Sequence, residues 1–441
     1  MHETHLQVDT GKVVRLGPNE YSINDVDALR TIYGPATRFI KAPWYSAFDE
    51  PSAPHSTIFS MKDIKAHGQE RRKYATAYSM STMLSYEMHV DQCIEILDQR
   101  FREFSSTKEL INFGHWMQCY AFDFSKRFGF LDRGHDIENL ISSLDAFNFY
   151  GSLVGIIPEW HRFLFPLINF FKQKTGLRYL FEFGRAAIKE RKQDSDRQDG
   201  PSDFATKFME ASAESSKFTD LNTLRGCMAN IIAGSDTTSA TLNSILFRIY
   251  GDSSCLQRLR DEIDQFPKQG GMTQPISYKE SLQMPYLQAC IKEGLRIHPA
   301  TGLPLFRLVP PGGATIAGVN FPAGAVVGIN SWVAHHDSDV FGPDPGVFRP
   351  ERWIATNAED KDRISTLDRY FMPFGHGART CLGKNISYLE INKVVPWIVQ
   401  NFDLQIRGGT AEDSRFMKAK NYFFVKQSEF QGTLTLRGLH D

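Results

Sequence analysis

The sequence predicts a mainly α-helical protein with small β-sheets, and two observations carry that prediction. Apolar residues recur at helical spacing from about Ile64 to Gly184, and again from about Asp220 to His298. From Leu303 to Phe348 the chain instead turns rich in Gly and Pro, with short apolar runs such as Thr315-Ile316-Ala317-Gly318, which suits short strands set among helices. No internal repeat is apparent. A length of 441 residues would suggest about three domains at roughly 150 residues each. The motifs described below converge on one site, so the expectation is a single domain over residues 1–441.

The elements follow in order. Val13 to Ile23 reads as a hairpin turning at Gly17-Pro18-Asn19, after which Asn24 caps a helix ending near Gly34. Arg71-Arg72-Lys73, a basic cluster, precedes Leu84, His89, Cys93 and Leu97 at helical spacing. Phe147 to Phe171 is the most apolar stretch, broken by Pro158 and Pro166 and so not a spanning helix. It reads as core-facing helices around a loop, with a substrate lid or a membrane-dipping surface as alternatives. Lys189 to Asp203 is a mixed-charge surface loop. Asp220 then caps a long helix to about Tyr250, followed by helices from Ser253 to Phe266 and from Tyr286 to His298, which Pro299 ends.

Composition removes several function classes. Fifty Lys and Arg against 51 Asp and Glu leave no basic excess for a nucleic-acid binder. A hydrophobic share of 41% excludes a largely disordered chain. The 34 Phe residues suggest a ring-filled interior or a large apolar ligand site. Six dispersed cysteines without a Cys-x-x-Cys speak against zinc ribbons, redox pairs and a disulfide framework. The start of the chain is not a signal peptide, and no segment approaches the ~20 apolar residues that span a bilayer. As written, the chain reads as soluble or at most monotopic.

Three constellations carry chemistry. In Phe374-Gly375-His376-Gly377-Ala378-Arg379-Thr380-Cys381-Leu382-Gly383, glycines allow tight turning before Cys381, and helical spacing follows. A cysteine at a helix N-terminus with Arg379 nearby is expected to have a lowered thiol pKa. In Ala233-Gly234-Ser235-Asp236-Thr237-Thr238, Gly within a helix costs about 1 kcal/mol relative to Ala, a local conflict that often marks function. Glu293 and Arg296 share one helical face at i and i+3.

Phe-x-x-Gly-x-Arg-x-Cys-x-Gly, here Phe374, Gly377, Arg379, Cys381 and Gly383, resembles the haem-binding signature of the cytochrome P450 family. The resemblance extends from about Val13 to the C-terminus. It implies the P450 fold, with haem b between the long central helix and the Cys-loop helix. Cys381 would be its axial thiolate, which favours O–O cleavage. It further implies that Thr237 orients dioxygen, that Asp236 serves proton delivery, and that Glu293, Arg296 and Arg352 form a buried structural network. Arg379, Arg307 and Arg71 match partners of the haem carboxylates. His67 stands where the family often has Trp four residues before Arg71, and its ring N–H can still donate.

The runs Lys292 to Pro304, Asn330 to His335 and Arg369 to Gly375 look like the fungal pisatin-demethylase-like branch. Electrons would come from NADPH through cytochrome P450 reductase, docking partly on Arg71-Arg72-Lys73. The substrate would be a bulky apolar molecule of secondary metabolism or detoxification. It would be touched by Phe147–Phe171, Ile231–Ala233, Ala300–Leu305 and the tip near Tyr422-Phe423. No nucleic-acid partner is implied. Family members of this kind reside at the endoplasmic reticulum by an N-terminal anchor. Here the hairpin begins by about Lys12, so anchor, hinge and most of the first helix look absent, and the expected location is cytosolic or peripheral. Oxidative coupling or rearrangement without oxygen insertion, and non-catalytic haem binding, are the alternative readings.

Overall fold

A computed structural model describes residues 11–51, 56–125, 129–171, 176–193, 208–209, 219–267, 274–407, 419–427 and 430–438. The chain opens with β1 (Val13–Gly17) and β2 (Glu20–Ile23), antiparallel and turning at Pro18 and Asn19 as expected. Helix α1 (Val26–Tyr33) is capped by Asp25, not Asn24: the Asp25 carboxylate accepts from the Ala28 amide at 3.2 Å. Asn24 spends its amide elsewhere, donating to Asp337 at 2.8 Å.

Then come β3 (Ile40–Lys41), α2 (Ile64–Ala75), α3 (Glu87–Thr107), β4 (Ile111–Asn112), α4 (Phe113–Ser125), α5 (Leu140–Val154), α6 (His161–Phe171) and α7 (Gly176–Gln193). Pro166 lies within α6 instead of breaking it, whereas Pro158 begins a separate short turn at Pro158–Trp160. Lys189 to Gln193, expected in a loop, complete α7; residues 194–203 of that loop lie outside the described residues.

The long helix α8 (Asp220–Gly251) has 32 residues and so spans about 48 Å. Its cap is Thr219, in a capping box with Asn222, instead of Asp220. Helices α9 (Ser253–Gln265) and α10 (Pro285–Ile297) follow. Gly294 of α10 is required by packing, because a Cβ there would stand 2.3 Å from Ile245 of α8.

Four short strands occupy the Gly- and Pro-rich region: β5 (Arg307–Leu308), β6 (Ala314–Ile316), β7 (Val319–Phe321) and β8 (Val326–Gly328). The chain ends with α11 (Lys384–Asn401), β9 (Phe402–Ile406), β10 (Ala419–Tyr422), β11 (Phe424–Gln427) and β12 (Gln431–Leu436). Strand order is β1-β2-β8-β5-β3 in one sheet and β4-β12-β9 in another, with β6-β7 and β10-β11 as hairpins. Helices thus dominate and sheet is minor, as the sequence predicts.

The principal apolar core lies among α3, α4, α8, α10 and α11, with Phe101, Phe113, Phe122 and Phe402 among its fully buried rings. Aromatic packing on this scale explains part of the Phe excess. No described helix is long and apolar enough to cross a membrane.

Candidate functional site

Cys381 precedes α11, separated from it by Leu382 and Gly383. The loop before it closes on itself, with the Cys381 amide donating to the Phe374 carbonyl at 2.8 Å. Gly377 has φ +67°, and a Cβ there would lie 1.8 Å from the Tyr33 carbonyl at the end of α1. Only glycine fits that approach. The Phe374 ring packs against Tyr388 of α11, centroids 5.2 Å apart, and so fixes the loop to the helix.

Among the six cysteines Cys381 is the exposed one. Desolvation by the protein around its sulfur nonetheless raises its thiol above the ordinary value. The Gly383 amide, Arg71 and Lys384 pull downward without cancelling that rise. The lowering expected from a helix start and Arg379 is therefore overturned: the local donor is present, but desolvation outweighs it.

Behind the loop lies a saturated ionic cluster. Glu293 accepts from Arg296 Nη2 at 2.7 Å and Nε at 2.8 Å, from Trp353 Nε1 at 2.8 Å and from Arg352 Nε at 3.3 Å. Burial alone would raise its carboxyl, but the bonds and charges of Arg296 and Arg352 hold it below the usual value. Arg296 also donates to the carbonyls of His335 and Pro345, both at 2.7 Å. His335 continues the chain of bonds. Its Nδ1 meets the Arg296 carbonyl at 2.9 Å, and its Nε2 accepts from the Met372 amide at 2.9 Å, where the Cys loop begins. Burial drives its pKa down to about 3, so the ring is neutral and can accept there. The expected three residues are thus brought together, and His335, unflagged by motif, joins them to the loop.

On the other side stands a basin of cations. His67 and Arg71 lie four apart on α2, hence on one face. Arg307 on β5 pairs in register with Lys41 on β3. Arg379 donates to the Met61 carbonyl at 2.7 Å, and Arg307 to the Phe306 carbonyl at 2.8 Å and the Tyr45 hydroxyl at 3.4 Å. His67 falls to about 3, through burial first and then the charges of Arg379, Lys41, Arg71 and Arg307. Lys41 is driven well below its ordinary value by burial, then by Arg307 and Arg379. Its ammonium lies over the Tyr45 and Phe59 rings, 4.4 and 4.5 Å from their centroids. Sequence reasoning missed Lys41, since nothing local marks it; only the β3–β5 register brings it beside Arg307.

No ion pair joins Arg71, Arg307, Arg379 or Lys41 to a carboxylate among the described residues. A single thiol beside converging, unneutralised cations fits an iron-bearing ring with two carboxylates, because each donor then has an acceptor of opposite charge.

Most of α8 is buried around the expected segment, but Ala233 is exposed and Gly234 and Thr237 are half-exposed on one face. The Thr237 hydroxyl donates to the Ala233 carbonyl at 2.7 Å, the back-bond that competes with regular helix. Thr238 points to α11, 3.3 Å from Glu390 and 3.5 Å from Ser387. That contact sets this part of α8 against the helix that Cys381 precedes. Asp236 turns away from Thr237 and is fully buried, with Gln118 of α4 at 2.6 Å, Asn148 of α5 at 2.9 Å and Lys426 of β11 at 2.7 Å. Burial raises its pKa, opposed by Lys426.

An aromatic wall completes the region. Phe423, at the turn between β10 and β11, holds φ +73°, strained for a bulky residue. Its ring lies 5.1 Å from Trp44 and 5.7 Å from both Phe48 and Phe59.

A helical fold carrying a thiol, a cationic basin and a hydroxyl-bearing helix face is the arrangement that the resemblance to haem-thiolate oxygenases implies. The chain belongs to the cytochrome P450 family, whose model matches residues 4–432. It is 36% identical to pisatin demethylase of Fusarium vanettenii over 97% of this chain and 82% of that protein. It is 34% identical to cytochrome P450 monooxygenase cicH of Emericella nidulans, over 98% of this chain and 88% of that one. Cytochrome P450 monooxygenase mpaDE of Penicillium roqueforti matches at 32% over 99% of this chain, but only 52% of its own length. The protein is a haem-dependent monooxygenase that uses dioxygen.

Proposed function

We propose that the chain acts as one catalytic domain that inserts an oxygen atom into a bulky apolar natural product. The observation that carries this reading is the unpaired cationic basin beside Cys381, which calls for a cofactor with two carboxylates. Cys381 would hold the iron. Arg71, Arg307 and Arg379, with His67 as a neutral donor, would hold the carboxylates, and Phe374 would pack beneath the ring. Haem so ligated supplies dioxygen binding and O–O cleavage.

The remaining steps belong to the chain. Thr237 presents a hydroxyl on the open face of α8, Asp236 holds a proton-exchanging carboxyl one residue earlier, and the exposed Ala233 leaves room for substrate. The aromatic wall of Trp44, Phe48, Phe59 and Phe423 excludes water and favours a large apolar ligand. Glu293, Arg296 and Arg352 fix the Cys loop and take no part in chemistry.

Electrons come from NADPH through cytochrome P450 reductase. Phe149, Leu153, Ile156, Ile157, Trp160 and Phe163 are all exposed on or between α5 and α6. An exposed apolar patch of that kind suits contact with a membrane surface, so we assign the chain a peripheral seat on the endoplasmic reticulum. The test is incubation with reductase, NADPH and labelled dioxygen on an extract of candidate apolar metabolites. Label retained in the product, or carried off in the aldehyde that a dealkylation releases, supports insertion; label recovered only in water would contradict it.

A further inference from the structure

Asp236 has a connection to the surface that the motif around it does not announce. Its carboxylate is fully buried, yet Lys426 Nζ stands 2.7 Å from it and also pairs with Asp145 of α5. Side-chain exposure rises along the series, from 0% at Asp236 to 22% at Lys426 and 46% at Asp145. The three groups come from α8, β11 and α5, so the series crosses a seam between elements instead of following one helix.

The electrostatics agree with the geometry. Burial would lower the Lys426 amine, but Asp236 and Asp145 raise it above its ordinary value. Among the described residues Lys426 and Asp145 are the charged groups that face Asp236; its other partners, Gln118 and Asn148, are neutral. Successive helix residues are about 100° apart, which sends Asp236 toward this seam while Thr237 faces the open side.

We propose that Lys426 is the positioning residue for Asp236: it sets the ionisation of that carboxyl and links it to Asp145 at the surface. The proposal rests on the reading of Asp236 as the acid that serves proton delivery. In one transfer the Lys426 N–H bond breaks and an Asp236 O–H bond forms, cancelling both charges. The neutral amine then takes a proton from hydronium in the solvent at the exposed Asp145 end of the series, and Asp236 returns to its carboxylate when it passes its own proton on. Lys426 also lies on the hairpin whose turn carries Phe423 into the aromatic wall, so substrate contact and proton supply share one element.

Two measurements on the haem-loaded protein test this. Infrared difference spectra in H2O and D2O read ionisation independently of activity. Lys426→Met is expected to create a buried carboxylic-acid band that is absent from Lys426→Arg and from the Lys426→Met, Asp236→Asn double variant. No new band in Lys426→Met would overturn the proposal. The second measurement is reductase-driven NADPH oxidation under dioxygen. Asp236→Asn and Lys426→Met are expected to slow it about tenfold with an enlarged solvent isotope effect, with the rate rescued in Lys426→Arg. If Asp236→Asn alone changes the rate and isotope effect, the role of Lys426 falls while that of Asp236 stands. If Asp236→Asn matches the unaltered protein, the reading of Asp236 falls, and the proposal with it.

Discussion

Two groups of buried or half-buried cations flank the Cys381 loop, and they differ in one respect. Arg296 and Arg352 have Glu293 between them and carbonyls at their remaining N–H groups, so their charge is met inside the chain. Burial first, then the charges of Arg307 and Arg379 on Lys41, of Arg307 and Arg71 on Arg379, and of all four cations on His67, lower the pKa of those three groups. No carboxylate is paired to Arg71, Arg307, Arg379 or Lys41 among the described residues. A folded chain tolerates unneutralised buried charge only where something else supplies the counter-charge. The paired group therefore reads as scaffold and the unpaired group as a ligand site, though both are made of buried or half-buried cations.

Substitution should separate the two. Glu293→Gln is expected to cost about 3–5 kcal/mol, because it leaves Arg296 buried without an anion and Arg352 with only Asp344. Chemical denaturation of the apoprotein measures this; a loss below about 1 kcal/mol would remove the distinction. The next largest effect concerns Glu390, a buried carboxyl raised well above its ordinary 4.5. The folded state holds that proton longer than the unfolded state, so stability falls as pH rises above 4.5. The slope is at most about 1.4 kcal/mol per pH unit. Glu390→Gln cannot titrate and should flatten this slope in denaturation curves at several pH values.

Arg71→Gln sharpens the comparison from the other side. Apoprotein stability should stay within about 1 kcal/mol of the parent, since the change relieves repulsion in the basin, while haem should leave faster. Transfer of haem to apomyoglobin measures the second quantity. Thr237→Ala has the smallest expected effect on stability, below about 1 kcal/mol, as the hydroxyl only returns to the Ala233 carbonyl. It should nonetheless raise peroxide released per NADPH consumed; unchanged coupling would make Thr237 structural.

What the sequence disclosed follows from locality. The Cys381 loop and the Glu293–Arg296 pair are each contained within a few residues, so their pattern is visible in the sequence, and the family resemblance supplies their roles. Arg352 needed the family resemblance. Lys41, His335 and Lys426 were invisible because each acts through a partner brought close by the fold: Arg307, Met372 and Asp236. The helix caps failed for a related reason. Asn24 and Asp25 are both good caps, and the Asn24 contact with Asp337 decides which one serves. The thiol expectation erred because a helix terminus is visible in sequence, whereas the burial that outweighs it is not.

The central claim is that Cys381, seated beside the unpaired cations, is the iron ligand. The most direct measurement is the absorption spectrum of the reduced, carbon-monoxide-bound protein. A red-shifted Soret band characteristic of thiolate ligation, lost in Cys381→His, is the predicted result. A band at the position given by histidine-ligated haem in the unaltered protein would contradict it.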